Sequence, residues 1–357
     1  MGKANLLRYL FLLCFLIWPF GLLLSFRTPF LSQPVYFLDI LVGVTSLVYL
    51  CSKKSLSDIK SSFLFRPLII FFVALLISFL FNLHRLSTSE IVTSIFYLAR
   101  ISCYPILFFL ASKQNPKELI TISTFSFCFF LVLALGQYIF MPDMRFLKLL
   151  GFDDHYYRLI GTLLDPNFSG AIIAGGAIFA LFANQLPLFF VSLIALALTF
   201  SRASYLSFGV AVVLLALYNK KTKLILLISL LGLIIYFIPK PFGEGVNLLR
   251  TVTVFSRVNS WQTGLNLFIQ SPLWGWGFKK VFIDNSLIYL LVSSGLIGFL
   301  SFLYLLKSIF KNIDPINKII LALLLIHSMF NNSFFFVWIY FTFWISLSLK
   351  FREYKSP

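Results

Sequence analysis

The chain is 357 residues long, 60% hydrophobic and only 11% charged, with a formal net charge of +17. Soluble domains carry about a quarter of their residues as charges, so this composition, with 45 phenylalanines, excludes a soluble globular protein and indicates an all-α polytopic membrane protein. The basic residues are dispersed between apolar runs, which points to membrane lipids and phosphate groups as partners and away from nucleic acid.

A spanning helix needs roughly 20 apolar residues. In chain order the pattern predicts about twelve spans: 6–26, 34–51, 67–83, 90–112, 119–141, 168–184, 186–201, 203–219, 223–239, 285–306, 318–332 and 334–349. The first has a basic lead, Lys3 and Arg8, but no small-residue cleavage site after its apolar run, so it is expected to stay as a helix. Cys14, Cys51, Cys103 and Cys128 lie in or at the ends of apolar segments without metal-ligand spacing, as small core residues do.

With the N-terminus in the cytoplasm, 17 of the 29 Lys and Arg fall inside, in short and nearly acid-free loops, and both termini are cytoplasmic. That assignment leaves two long outer loops, 142–167 and 240–284. Long loops in a chain of short connections usually carry function. The expected organisation is N-terminal helices over 1–141, a core over 142–306 that includes loop 240–284, and C-terminal helices with a tail over 307–357.

The second loop holds Arg250, Arg257, Lys279 and Lys280 together with Trp261, Trp274 and Trp276. Within it, 257–270 has helical apolar spacing (Val258, Trp261, Leu265, Phe268) and predicts an amphipathic surface helix. Ser271 to Gly277 follows as a turn, because Pro272, Gly275 and Gly277 break a helix. Tyr156, Tyr157 and the three tryptophans are either stacking surfaces for a ligand or interfacial belt residues.

Three arginines, Arg158, Arg202 and Arg257, stand beside apolar segments on the side where the positive-inside rule disfavours them. A guanidinium stays charged and grips phosphate oxygens with a planar fork. The alternative is that each snorkels or pairs with Asp153, Asp154, Asp165 or Asp284. Arg100 sits mid-segment, as a buried ion pair with Asp39 or as a pathway residue. Asp165-Pro166-Asn167 opens the sixth span, where Asp and Asn cap exposed amides and Pro suits the first helical position. His155 lies in a loop beside Asp153 and Asp154, a position open to base chemistry, whereas His327 reads as a packed, hydrogen-bonded residue. No metal-ligand cluster, glycine-rich nucleotide loop or nucleophile elbow stands in the sequence, so no cofactor is expected.

The order Arg158-x-x-Gly161, Asp165-Pro166-Asn167, Thr199-Phe200-Ser201-Arg202, and Arg257 with Trp261 resembles the O-antigen ligase and polymerase superfamily. So do Pro272-Leu273-x-Gly275-x-Gly277, Asn285-Ser286 and Ser294-Gly295-Leu296-Ile297-Gly298, and the likeness covers about 155–300. It implies a GT-C-type glycosyltransferase of the bacterial inner membrane that works on the periplasmic face without metal or nucleotide sugar. The implied donor is a glycan on undecaprenyl diphosphate. By position, Arg202 and Arg257 match the family's two functional arginines, which hold the diphosphate; Arg158, Asp165, Asn167, Trp261 and Asn285 are further substrate-binding candidates. Ligases of the family carry a His just before this Asn, as general base; here the residue is Asp284. The resemblance therefore implies a repeat-unit polymerase, with lipid-linked oligosaccharide as both donor and acceptor and a chain-length regulator as a further partner. A ligase acting on lipid A core, with Asp284 or His155 as base, is the alternative. A transporter, the reading from another class, rests on Arg100 and the Gly170–Gly176 run.

Overall fold

The computed structural model describes residues 3–28, 31, 33–240, 243–278 and 283–349. Lys279, Lys280, Lys350, Arg352 and Lys355 lie outside the described residues. Fifteen α-helices occur among those described. The first seven are α1 (Lys3–Ile17), α2 (Phe37–Leu50), α3 (Lys53–Ser61), α4 (Phe65–Asn82), α5 (Thr88–Cys103), α6 (Ile106–Ala111) and α7 (Pro116–Phe140). Then come α8 (Pro166–Phe182), α9 (Leu186–Leu198), α10 (Arg202–Asn219) and α11 (Leu226–Phe237). The last four are α12 (Val252–Gln270), α13 (Ser286–Asn312), α14 (Pro315–Ser328) and α15 (Val337–Ser348). A two-residue antiparallel pair, β1 (Ser25–Phe26) with β2 (Val35–Tyr36), closes the loop after α1.

Each of the twelve apolar segments falls on helix. Among the described residues, six helices are long and apolar enough to cross a membrane: Asn5–Leu23, Phe65–Arg85, Thr88–Ala111, Pro116–Phe140, Arg202–Asn219 and Ser286–Asn312. The other six apolar helices are shorter, at 10–17 residues. The fold is that of a multi-pass helical membrane protein. The helices start where their sequences cap them. Ser87 and Glu90 form a reciprocal capping box at α5, and Asn115 caps α7 ahead of Pro116. The expected span 90–112 corresponds to Thr88–Ala111, divided into α5 and α6 at Pro105, which has no amide to continue the ladder. The predicted amphipathic helix is real but begins five residues earlier, at Val252. Its face with Val254, Phe255, Val258, Leu265 and Ile269 is exposed, while Gly264 is buried against Ile283 and Ile288.

Arg100 is a buried ion pair. Its Nε donates to Asp39 Oδ1 at 2.9 Å and its Nη2 to Asp39 Oδ2, while Tyr104 donates its hydroxyl to Asp39 Oδ1 at 2.9 Å. The rings of Tyr36, Phe96 and Tyr97 surround the guanidinium at 4.7–5.2 Å.

The turn after α12 and the kink in α13 are one joint. Trp276 and Gly277 amides donate to Val292 and Ser293 carbonyls at 2.8 and 2.9 Å, and the Leu296 amide donates to Pro272 O at 2.8 Å. Gly275 and Gly295 both have positive φ, and a Cβ on Gly295 would lie 2.2 Å from Leu273 O. Only glycine admits two backbones that close in that conformation. Ser78 of α4 locks the joint by donating to Trp274 O at 2.5 Å. Gly275 and Gly295, one from each C-terminal motif, thus serve backbone contact.

Candidate functional site

The N-termini of α8, α10 and α13 meet at one end of the bundle, each capped by its own side chain. Asp165 accepts from the amides of Asn167 (2.6 Å) and Phe168 (3.1 Å). Ser201 accepts from the Ser204 amide, and Asn285 from Leu287 (2.9 Å) and Ile288 (3.0 Å). The first two ends are tied together, since Ser201 Oγ donates to Asn167 Oδ1 at 2.8 Å. The third is tied to the α14–α15 turn, because Asn285 Nδ2 donates to Met329 O at 2.9 Å. Helix N-termini present partial positive charge and free amides, an arrangement suited to anions.

Four arginines surround this junction. Arg158, buried, donates Nε to Thr199 O at 3.0 Å and Nη2 to Phe200 O at 3.2 Å. Those carbonyls belong to the turn into α10, where Phe200 has a φ of +48°. A non-glycine residue there is strained, and Arg158 clamps it. Arg202 reaches the loop before α12, donating Nη1 to Leu248 O (3.2 Å) and Arg250 O (2.9 Å) and Nη2 to Thr253 Oγ1 (2.6 Å). Arg250 holds that loop through Gly245 O and Asn247 O. Arg257, on α12, makes a single long bond, Nη2 to Asn331 Oδ1 at 3.3 Å.

Among the described residues, Arg158, Arg202 and Arg257 form no ion pair with a carboxylate. Pairing with Asp153, Asp154, Asp165 or Asp284, the sequence's alternative, is therefore not what the structure has. Asp165 and Asp284 act on Arg257 through space without pairing with it, so the charges of this junction are not matched one to one.

Protonation follows the same imbalance. Burial depresses the Arg257 guanidinium, Asp284 opposes that shift, and Arg202 adds to it. Burial also depresses Arg158, helped by Arg250. Asp284 is raised, by burial more than Arg257 lowers it. Asp165 is raised by burial against its two amide bonds and the arginines. His155 is pushed down to about 4 by burial and Arg158, so its ring is neutral at pH 7; its Nε2 is buried without a partner. Among the described residues no group of three His, Cys, Asp or Glu could hold a metal ion.

Of the sequence-predicted candidates, the structure brings together Arg158, Asp165, Asn167, Arg202, Arg257, Asp284 and Asn285. Trp261 lies beside them, its ring 6.3 Å from Phe330. Trp274 and Trp276 serve the joint instead. Trp274 stacks on Phe81 at 4.2 Å, and Trp276 donates to Leu267 O at 2.7 Å under Arg85. Sequence reasoning missed Asn331 and the partners of His327. The only local signal was Asn331-Asn332-Ser333, a polar triplet between two apolar helices.

Fold and junction define a multi-pass membrane protein with a cationic site at converging helix ends. Residues 187–303, about a third of the chain, match the family model described as O-antigen ligase, and this stretch supports membership of the O-antigen ligase and polymerase family. The match spans Arg202, Arg257, Asp284 and Asn285, while Arg158, Asp165 and Asn167 precede it. A comparison with curated proteins gives no match.

Proposed function

We propose that the chain is a bacterial inner-membrane glycosyltransferase that joins oligosaccharide repeat units carried on undecaprenyl diphosphate. The observation that carries this reading is that Arg158, Arg202 and Arg257, gathered where three helix N-termini meet, form no ion pair among the described residues. A diphosphate is the leaving group whose charge grows as the anomeric C–O bond breaks, and preorganised guanidiniums stabilise that growth. Arg257, with one long bond, has donors to offer. Arg202, anchored by loop carbonyls, presents the rest of its fork, and Arg158 fixes the turn that carries Arg202.

In the reaction, an acceptor sugar hydroxyl attacks the donor's anomeric carbon and a glycosidic bond forms. The bond to the phosphate oxygen breaks, and undecaprenyl diphosphate departs with the electron pair. Asp284 takes the hydroxyl proton. Its raised affinity for protons, beside Arg257, suits general-base work. Asn167, Asn285 and Trp261 line the sugar side. The work is assigned to the periplasmic face, with both termini cytoplasmic and a chain-length regulator as partner.

Asp284 in place of the ligases' His favours polymerisation; the family description favours the second reading, transfer to lipid A core. Purified protein given lipid-linked repeat units, with EDTA present, should build a ladder that Arg202→Ala and Arg257→Ala abolish. Wild type that is silent with that donor alone but active once lipid A core is supplied is a ligase. Silence with both acceptors removes glycan transfer and leaves transport.

A further inference from the structure

His327 is completely buried on α14, next to the junction, and both of its ring nitrogens meet polar partners. Nδ1 lies 2.6 Å from Ser333 Oγ; Nε2 lies 3.2 Å from Ser204 Oγ and 3.5 Å from Asn331 Nδ2. The far end of the Asn331 amide, Oδ1, accepts from Arg257. The Asn331 backbone is fixed from both sides, its amide donating to His327 O at 3.2 Å and its carbonyl accepting from Ser286 Oγ at 3.3 Å. What is left to decide is which way the amide side chain faces.

That orientation depends on the histidine. With Nδ1–H donated to Ser333, Nε2 is an acceptor. It draws the Asn331 NH2 toward itself and turns Oδ1 toward the guanidinium. A flipped amide would set NH2 against NH2 and leave Arg257 without its one hydrogen bond. We propose that His327 is a positioning residue, which aims Arg257 at the anionic group of the substrate by fixing the Asn331 amide. The chain Ser333–His327–Asn331–Arg257 meets the Ser204–Ser201–Asn167 tie at the histidine, because Ser204 Oγ, 2.9 Å from Ser201 Oγ, also lies 3.2 Å from Nε2. This inference rests on the diphosphate reading given above and names what governs its central residue.

The test is a double-mutant cycle on the detergent-purified full chain, with farnesyl diphosphate as the probe and its Kd as the readout. Arg257→Ala should weaken binding about tenfold or more, as loss of a charge-assisted contact does. His327→Ala and Asn331→Ala should each weaken it roughly fivefold, and neither should weaken it further when combined with Arg257→Ala. A merely structural histidine would give losses that multiply with Arg257→Ala, and that result overturns the proposal, as does wild-type affinity in His327→Ala. Should His327→Ala fail to fold, the Asn331→Ala and Arg257→Ala pair carries the same cycle with the ring in place. Wild-type affinity in Arg257→Ala would remove the diphosphate reading itself; a weak Arg257→Ala with multiplying losses removes only the role of His327.

Discussion

Arg100 and Arg257 are both arginines withdrawn from water in a chain that is mostly hydrocarbon, yet their surroundings are opposite. Arg100 has a carboxylate across its fork, a tyrosine hydroxyl on that carboxylate and three aromatic rings around it. Arg257 has one amide oxygen at 3.3 Å, Asp284 acting on it through space without pairing, and a second guanidinium, Arg202, near enough to disfavour its charge. A charge placed in an apolar interior is neutralised where it holds the fold together. One left without an ion pair fits the anion-binding role proposed above. The N-terminal half thus spends its buried charge on structure, and the junction of α8, α10 and α13 keeps a surplus.

Four changes sharpen or break that contrast. The largest effect on stability is expected at Asp39. Asp39→Ala leaves Arg100 buried and uncompensated, which costs about 3–5 kcal/mol. Thermal unfolding in detergent should show the loss, and Arg100→Met added to Asp39→Ala should recover much of it. If Asp39→Ala unfolds like wild type, Arg100 is not structural and the comparison collapses.

Arg257→Ala should do the reverse. Removing one donor that meets developing charge lowers turnover by about 10²–10³, or about 2.7–4 kcal/mol. Stability should stay within about 0.5 kcal/mol, because the residue is half-buried and makes a single long bond. Turnover of lipid-linked glycan and the melting temperature, measured on the same preparation, separate the two. Arg158→Met falls between. It takes the Arg158 bond from the Thr199 carbonyl and leaves the Phe200 carbonyl only its longer bond from Arg250 at a strained turn, and about 1–3 kcal/mol of stability should go with it. Turnover should fall as well, since that turn sets where Arg202 begins.

The contrast was only partly legible in the sequence. Apolar run lengths placed the helices, because a membrane demands continuous hydrocarbon whatever the tertiary contacts. The Arg100–Asp39 pair stood among the alternatives for the same reason: an intramembrane charge needs a named partner. Which arginines would go without one was not legible. Arg158 meets carbonyls 41 and 42 residues away, and Arg257 meets an asparagine 74 residues away. No periodicity encodes such contacts. The paired glycines at 275 and 295 were visible as motif letters, but their purpose needs both backbones in view. Trp274 and Trp276 looked like sugar platforms because aromatic residues in a loop advertise surface; the joint with α13 buries that reading.

The smallest effect concerns Asp284, and its sign distinguishes a working group from a structural one. Burial raises its affinity for protons in the folded state above the ordinary carboxylate value. A raised carboxyl favours folding in its protonated form. That contribution is fully present below the unfolded pKa and is lost as pH rises through the folded one. At pH 7 the ionised Asp284 therefore costs stability, and Asp284→Asn should melt slightly higher than wild type there. Near about pH 3, where both forms are neutral, the two should melt together. Wild-type turnover should move the other way with pH, because a base works only when ionised: its acid limb should lie above the ordinary carboxylate range. A structural Asp284, paired and stabilising like Asp39, would give a variant that melts lower at pH 7, and that outcome would move Asp284 to the other side of the comparison.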